Sequence, residues 1–252
     1  MTSPMQKLGG TVKTVSHGAL VFIGFVAACA AVMLAHSLLR VQPLHGLEFV
    51  SVLGLAVVAA RMKIKLPGLN GNMSVNLPFF LIAVAQLSLF EALLIALAST
   101  LTQCFPKDGG KPKLLQMLFN LSTAAVAVGL GSLIFHDSPL RGVWSSGLPL
   151  VMATATVFLA QTMPVATIIS LTEGVKVLRI WSSIFQLSFP YYVLSVGITS
   201  IVTTASRHVG WEIPLSVLPV MYAIYRSYRV YFGRALPQAN DLAMAKGAGA
   251  AH

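Results

Sequence analysis

The sequence is dominated by apolar stretches that are separated by short segments rich in Lys and Arg. A helix that crosses the hydrocarbon core of a bilayer needs about 20 mostly apolar residues. Eight stretches approach or reach that length, and their predicted boundaries are 18–39, 45–60, 73–89, 90–105, 114–135, 148–171, 184–204 and 213–232. The pattern predicts an all-α, polytopic transmembrane helical bundle of about eight spans. We expect segment 1–17 to be a cytoplasmic N-terminus and 233–252 a disordered cytoplasmic tail.

Charge and composition agree with a membrane protein. Only 10% of the residues are charged and 56% are hydrophobic, whereas a soluble domain carries about 25% charged residues. A surface that faces lipid removes the need for charge. The formal net charge of +10 does not indicate nucleic-acid binding, because the basic residues lie in the gaps between apolar stretches and not along one soluble element. The predicted partner is the lipid bilayer.

The distribution of Lys and Arg predicts the orientation of the bundle. With the N-terminus inside, 14 of the 17 basic residues fall in inner segments, and Arg40, Arg141 and Arg207 fall outside. This split obeys the positive-inside rule and predicts that both termini are cytoplasmic. If 73–105 were a single span, the basic residues that follow it would fall outside and the split would no longer obey the positive-inside rule. We therefore expect a tight turn near Ser88 and Glu91.

The two cysteines have no pattern that indicates a disulfide framework or a metal site. Val26–Cys29 resembles a lipoprotein cleavage site, but the apolar run continues to Leu39. A secretory hydrophobic region is only about 7–15 residues long, so we expect a retained first span. Cys29 and Cys104 are then expected to be small buried apolar side chains.

The segment Arg61–Asn76 differs most from an apolar span. Basic and apolar residues alternate from Arg61 to Leu66, which predicts a short extended piece, and Pro67-Gly68 and Asn70-Gly71 are turn signals. Polar residues then enter the third stretch: Asn72, Ser74 and Asn76. They are candidates for a ligand-binding floor, because irregular backbone at membrane depth must be buried in protein or line a cavity. The alternative is that Asn72 or Ser74 caps the third helix.

Polar side chains inside the other spans allow two interpretations. They can bond across helices and hold the bundle together, or they can line a ligand pocket. The further candidate ligand-binding residues are Gln86, Asn120, Gln161 and Thr162. Pro164 and Pro190 are expected to kink the sixth and seventh helices.

No catalytic site is predicted. The six histidines are scattered without metal-ligand spacing, and no nucleophile–base set or carboxylate pair stands out. Among the acidic residues, Glu48 is the one predicted to lie within a span, which makes it a functional candidate. We therefore expect no enzyme activity, no metal and no cofactor, although a membrane enzyme is a third possibility to be weighed.

The last span ends in a repeated pattern of Tyr and Arg. Tyr222, Tyr225, Tyr228 and Tyr231 recur every three residues, with Arg226 and Arg229 between them. Tyr at the headgroup level and Arg reaching phosphates anchor a helix end. Tyr225, Arg226, Tyr228 and Arg229 are the predicted membrane-anchoring residues.

Several segments resemble a membrane region of bacterial signalling proteins. They are Leu66–Asn76, Phe119-Asn120, Leu171–Gly174, Trp181, Phe185, Pro190–Tyr192 and Tyr225–Arg234. The region that they resemble precedes HD-GYP phosphodiesterase or GGDEF diguanylate cyclase domains. The resemblance implies a multi-span sensory input region of the cyclic-di-GMP network in the bacterial inner membrane. Neither output motif follows Arg234, so we expect that this chain does not itself make or cleave cyclic di-GMP.

Two functional hypotheses follow. The first is a non-enzymatic membrane sensor or interaction module that binds a small ligand or a partner, such as a separate cytoplasmic output protein. The second is a small-solute transporter, or the substrate-binding subunit of a vitamin-type importer with a transport ATPase as its partner, because Leu66–Pro78 resembles a broken helix at a binding site. A homo-oligomer is compatible with either hypothesis.

Overall fold

The computed structural model describes residues 17–40, 44–65, 72–105, 113–137, 147–209, 212–227 and 230. The helices are α1 His17–Leu39, α2 Gly46–Ala60, α3 Leu77–Gln86, α4 Leu89–Cys104, α5 Leu114–Asp137, α6 Gly147–Glu173, α7 Val177–Val209 and α8, residues 217–227, which follows the short 3-10 helix Ile213–Ser216. Two short strands, β1 Lys63–Lys65 and β2 Asn72–Ser74, lie between α2 and α3. The predicted all-α helical bundle is confirmed.

The helices differ in how far they can reach across a bilayer. By length and composition α1, α5, α6 and α7 can each cross a membrane, whereas α2, α3 and α4 are shorter apolar helices of 15, 10 and 16 residues. These three correspond to the second, third and fourth predicted spans. The chain is thus a membrane protein with at least four candidate spans among its described residues, and the count of eight stays a prediction.

A β-hairpin replaces the first turns of the predicted third span. β1 and β2 pair antiparallel, with Lys63 opposite Ser74 and Lys65 opposite Asn72. This confirms the extended piece predicted from the alternation of basic and apolar residues. The predicted span 73–89 is helical only from Leu77 to Gln86, because the residues before it pair with β1. The turn signals between the strands lie outside the described residues.

The second strand extends the short helix α3 to the length of its neighbour. Ten helical residues rise about 15 Å and three strand residues about 10 Å, which together match the roughly 24 Å of the 16 residues of α4. The hairpin and the end of α4 also meet, since Lys63 Nζ donates to the Phe105 carbonyl over 3.1 Å. The hairpin therefore lies at the end of the bundle where α4 ends.

Helix α3 forms the centre of the bundle. Its residues from Leu77 to Val84 are all buried, and it packs against α2, α4, α5, α6 and α7. A helix that is apolar on every side is stable only where neighbours or lipid surround it completely. The largest buried apolar cluster accordingly includes this whole stretch together with residues of α2, α5, α6, α7 and α8.

Small residues let α5 approach its neighbours closely. A Cβ atom at Gly131 would lie 2.6 Å from Val157 Cγ2 on α6, and one at Gly129 would lie 3.2 Å from the sulfur of Met33 on α1. Glycines at helix contacts are a usual means of close packing in membranes. The α5–α6 interface is thus shaped for glycine at position 131.

The helix ends predicted to lie outside meet at one end of the bundle. Arg40, after α1, forms an ion pair with Asp137 at the end of α5, with Nη1 and Oδ2 2.9 Å apart. His45, before α2, contacts Glu91 in the first turn of α4. The hairpin and the end of α4 lie at the opposite end. Helices that follow one another in the chain therefore run in opposite directions, as the predicted charge pattern requires.

The orientation can be tested with inserted alkaline phosphatase, which is active only outside the cytoplasm. We expect activity when it is inserted after Arg141, between α5 and α6, and none when it is inserted after Gly109, between α4 and α5. Both fusions are compared at equal expression in a bacterial host. The reverse pattern would contradict the predicted orientation.

Replacing Gly131 should weaken the α5–α6 contact. We expect Gly131→Leu to lower the free energy of unfolding by about 1–3 kcal/mol, the usual cost of overpacking, because the new side chain collides with Val157. Gly54→Leu is the matched control, since no atom lies within 4 Å of a Cβ atom at that position. Thermal unfolding of both variants in detergent measures the difference, and equal midpoints would contradict this packing.

Candidate ligand-binding cavity

A polar cavity lies at the end of the bundle where the predicted outer helix ends meet. Its volume is about 290 Å³, and it is partly open to the surface. The residues that line it come from five helices and the residue before α2: His45, Glu48, Ala85, Gln86, Phe135, Leu150, Thr203 and Ser206. A concave site of this kind, with a few polar groups among apolar ones, is the usual form of a small-molecule site.

The polar groups of the cavity differ in the hydrogen bonds that they already make within the protein. Thr203 Oγ1 donates to the Thr199 carbonyl over 2.8 Å, so its lone pairs stay available. Ser206 Oγ is buried and has no hydrogen-bond partner among the described residues. A buried polar atom without a partner is uncommon and calls for an explanation.

A buried carboxylate holds the wall of the cavity in place. Glu91 is 1% exposed and forms a capping box with Ser88, in which Ser88 N and Oγ donate to Oε2 over 2.9 and 2.7 Å. The same carboxylate accepts from the backbone N of His45 at 2.6 Å, and His45 Nδ1 lies 3.3 Å from Oε2. His45 is thereby fixed at the start of α2.

Glu91 was not among the functional candidates chosen from sequence. The turn predicted near Ser88 and Glu91 is present, since α3 ends at Gln86 and α4 begins at Leu89. The expectation that Glu48 alone would lie within a span missed the more deeply buried acid. The spacing of Ser88 and Glu91, Ser-x-x-Glu before an apolar run, is the capping-box signature that could have identified it.

The candidate residues of the hairpin region lie at the opposite end from the cavity. Asn72 and Ser74 belong to β2, and their side chains lie outside the described part of the structure. Asn76 is buried and is the N-cap residue of α3, where its side chain makes no capping hydrogen bond. The alternative in which Asn72 or Ser74 caps the third helix is therefore wrong, because the helix begins only after Asn76.

Of the four candidates inside the spans, only Gln86 lines the cavity. Gln161 accepts from the Tyr192 hydroxyl over 2.6 Å, and Thr162 accepts from Trp181 Nε1 over 3.1 Å, so both join α6 to α7. Asn120 Nδ2 lies 3.8 Å from the sulfur of Cys104 on α4. These three side chains follow the interpretation in which polar groups hold the bundle together.

The start of α3 is closed by groups of the protein. The first residues of a helix leave backbone N–H groups without helical partners. Here the Leu77 N–H donates to the Tyr191 hydroxyl on α7 over 3.2 Å, and the Phe79 N–H donates to the Asn76 carbonyl over 3.1 Å. Pro78, between them, has no N–H to satisfy. The Leu77 and Phe79 N–H groups are thus already engaged by the protein itself.

The aromatic end of the chain is partly described. Tyr225 packs against the main buried cluster, whereas Tyr222 and Arg226 are exposed. Together with Val230 they line a surface groove. Tyr228 and Arg229 lie outside the described residues, and the anchoring role of this group stays a prediction.

Fold and composition define the protein as a multi-span helical membrane protein with a polar cavity at one end. A family model, MASE9, matches residues 13–231, and the chain belongs to this family of membrane-associated sensory domains. The membrane sensory region implied by the sequence resemblance is thereby confirmed. No curated protein and no solved structure matches the chain.

The role of Glu91 can be separated from that of Glu48 by stability. Glu91→Gln replaces one acceptor oxygen by a donor that faces existing donors, so we expect a loss of about 1–3 kcal/mol in the free energy of unfolding. Glu48→Gln should change it by less than about 0.5 kcal/mol, because its side chain forms no ion pair or hydrogen bond with the described residues. Thermal unfolding in detergent tests this, and equal losses would contradict it.

Proposed function

We propose that this membrane sensory domain detects a small polar ligand in the cavity and transmits its presence to the opposite, cytoplasmic end. The observation that carries the proposal is the set of helices that form the cavity wall. It is built from ends of α2, α3, α5, α6 and α7 at a single place. A ligand bound there touches the central helix and the long helix α7 together, so its binding energy can favour one arrangement of these helices over another.

Helix α7 provides the physical connection between the two ends. Its outer end contributes Thr203 and Ser206 to the cavity, and it runs without a break to Val177. On the way Tyr191 bonds to the start of α3 and Tyr192 bonds to Gln161 of α6. A shift of α7 therefore changes contacts with both neighbours. Small shifts of packed helices are a common form of signalling transition.

Helix α8 carries the signal on to the cytoplasmic exit. Val217 and Met221 belong to the same buried cluster as α3 and the tyrosines of α7, and Tyr225 packs against it. The Tyr/Arg pattern beyond them suits a helix that is held at the lipid headgroups. We propose that this end acts on a cytoplasmic output of the cyclic-di-GMP type, HD-GYP or GGDEF, in a bacterial inner membrane.

The domain is proposed to be non-enzymatic, as sensory domains generally are. Transport is a weaker proposal. It was suggested by the broken segment before α3, where a half-helix end would hold a substrate. The Leu77 and Phe79 N–H groups, however, are occupied by Tyr191 and Asn76. The open polar cavity lies at the other end of that helix.

Filling the cavity should mimic a bound ligand and move the cytoplasmic end. We propose spin labels at Leu178→Cys on α7 and Ala223→Cys on α8, two exposed positions, after Cys29→Ala and Cys104→Ala. Adding Ala85→Phe or Thr203→Phe, which place a ring in the cavity, should shift the distance between the labels by about 1–2 Å or more. Pulsed electron paramagnetic resonance in nanodiscs measures the shift.

The control variant is Val50→Phe, which adds the same ring at an exposed position of α2. It should leave the distance between the labels unchanged. If both cavity variants fold, as judged by thermal unfolding, and neither differs from the control, the proposed coupling between the cavity and the cytoplasmic end is refuted.

A further inference from the structure

We infer that the ligand of the cavity is a small organic cation, of the kind that carries a primary ammonium group beside a short carbon chain. This inference rests on the proposed function and assigns the ligand class of the same cavity. It is carried by the charge of the lining residues, by the direction of their hydrogen bonds and by the apolar part of the wall.

The charge of the wall favours a cation. Among the described residues that line the cavity, Glu48 is the only Asp, Glu, Lys or Arg, and none of its contacts in the described structure is an ion pair or a hydrogen bond. The two acids nearby are already engaged, since Glu91 is held by Ser88 and His45 and Asp137 by Arg40. Glu48 is therefore the carboxylate that remains for a ligand, and an anion would face it unfavourably.

The hydroxyl groups of the wall offer acceptors to a donor-rich ligand. The Thr203 hydroxyl donates its hydrogen bond to the backbone carbonyls of Thr199 and Ser200, so only its lone pairs can face the cavity. The Gln86 side chain supplies a carbonyl oxygen. An ammonium group has three donors and no acceptor. It matches a carboxylate and two further acceptors without leaving a donor unpaired.

The rest of the wall suits a short carbon chain. Ala85, Phe135 and Leu150 form the apolar side, and the face of a Phe ring attracts a nearby cation. A water molecule takes about 30 Å³ of liquid, so the volume of about 290 Å³ holds roughly ten non-hydrogen atoms. The enclosed volume thus suits a small monoamine.

The test uses three probes of the same length that differ in one end group: 4-amino-1-butanol, 1,4-butanediol and 4-hydroxybutyrate. Binding to the full chain in phosphatidylcholine nanodiscs is measured by isothermal titration calorimetry and by the shift of the thermal midpoint. We expect the amine to bind at least about tenfold more tightly than the diol, since hydrogen bonds to charged groups are the stronger ones. The carboxylate should bind weakest.

Glu48→Gln should remove the preference for the amine, with its affinity falling to that of the diol. Glu173→Gln is the matched control, because Glu173 is an exposed acid at the opposite end of α6 and its loss should leave the preference intact. A preference that survives Glu48→Gln, or stronger binding of 4-hydroxybutyrate, overturns the cation assignment.

Two further outcomes separate this inference from the proposed function. If the diol or the carboxylate binds best and Gln86→Ala or Ser206→Ala weakens it, the cavity is a ligand site and only the ligand class is wrong. If no probe binds and Ala85→Phe leaves the cytoplasmic distance unchanged, both the ligand class and the proposed function fail.

Discussion

The Tyr191 hydroxyl accepts the Leu77 N–H at the point where β2 gives way to α3, and the arrangement of the bundle depends on this junction. Within a bilayer no water is available to an exposed backbone group, so irregular backbone survives only where protein surrounds it. Here α7 supplies that protein. Tyr191 is 2% exposed, and Thr199 Oγ1 on the same helix donates to the Pro78 carbonyl over 3.4 Å. The start of α3 is thereby tied to α7, the longest of the described helices.

That tie explains how one end of the molecule can report on the other. Helix α3 is buried on all sides and ends at Gln86, which lines the cavity. Helix α7 hydrogen-bonds to the start of α3 through Tyr191, and it lines the same cavity near its C-terminal end. The capping box at Glu91 fixes the turn beside Gln86 and holds His45. A ligand in the cavity would thus meet one wall that is rigidly braced and another, on α7, that continues to the predicted cytoplasmic side.

Much of the fold could be predicted from the sequence, because membrane helices are specified locally by the length of an apolar run. The alternation of charged and apolar residues after Arg61 predicts β1, and the pair Ser88 and Glu91 predicts the turn before α4. The length of α3 was harder to predict from the sequence. An apolar run from Met73 to Leu89 is equally compatible with a full helix, and only the pairing of Asn72–Ser74 with β1 shortens it.

The cavity was beyond prediction for a different reason. His45, Gln86, Phe135 and Ser206 lie in four distant parts of the chain, and none carries a local motif. The sequence drew attention to Arg61–Asn76, where polar residues are concentrated, but Asn76 serves the junction with α3 and the cavity lies at the other end. The same holds for Gln161 and Thr162. The sequence shows that they are polar, but it does not show that their hydrogen-bond partners are Tyr192 and Trp181.

The central claim is that a water-accessible polar site exists at the outer end of α3. Reaction with a charged, membrane-impermeant thiosulfonate tests it most directly, using Gln86→Cys and Thr203→Cys in a chain with Cys29→Ala and Cys104→Ala, and Leu81→Cys as the buried comparison. The account predicts that both cavity positions react from outside intact cells and that position 81 does not react from either side. Reaction of the cavity positions only from the cytoplasmic side, or none at all in folded protein, would contradict it.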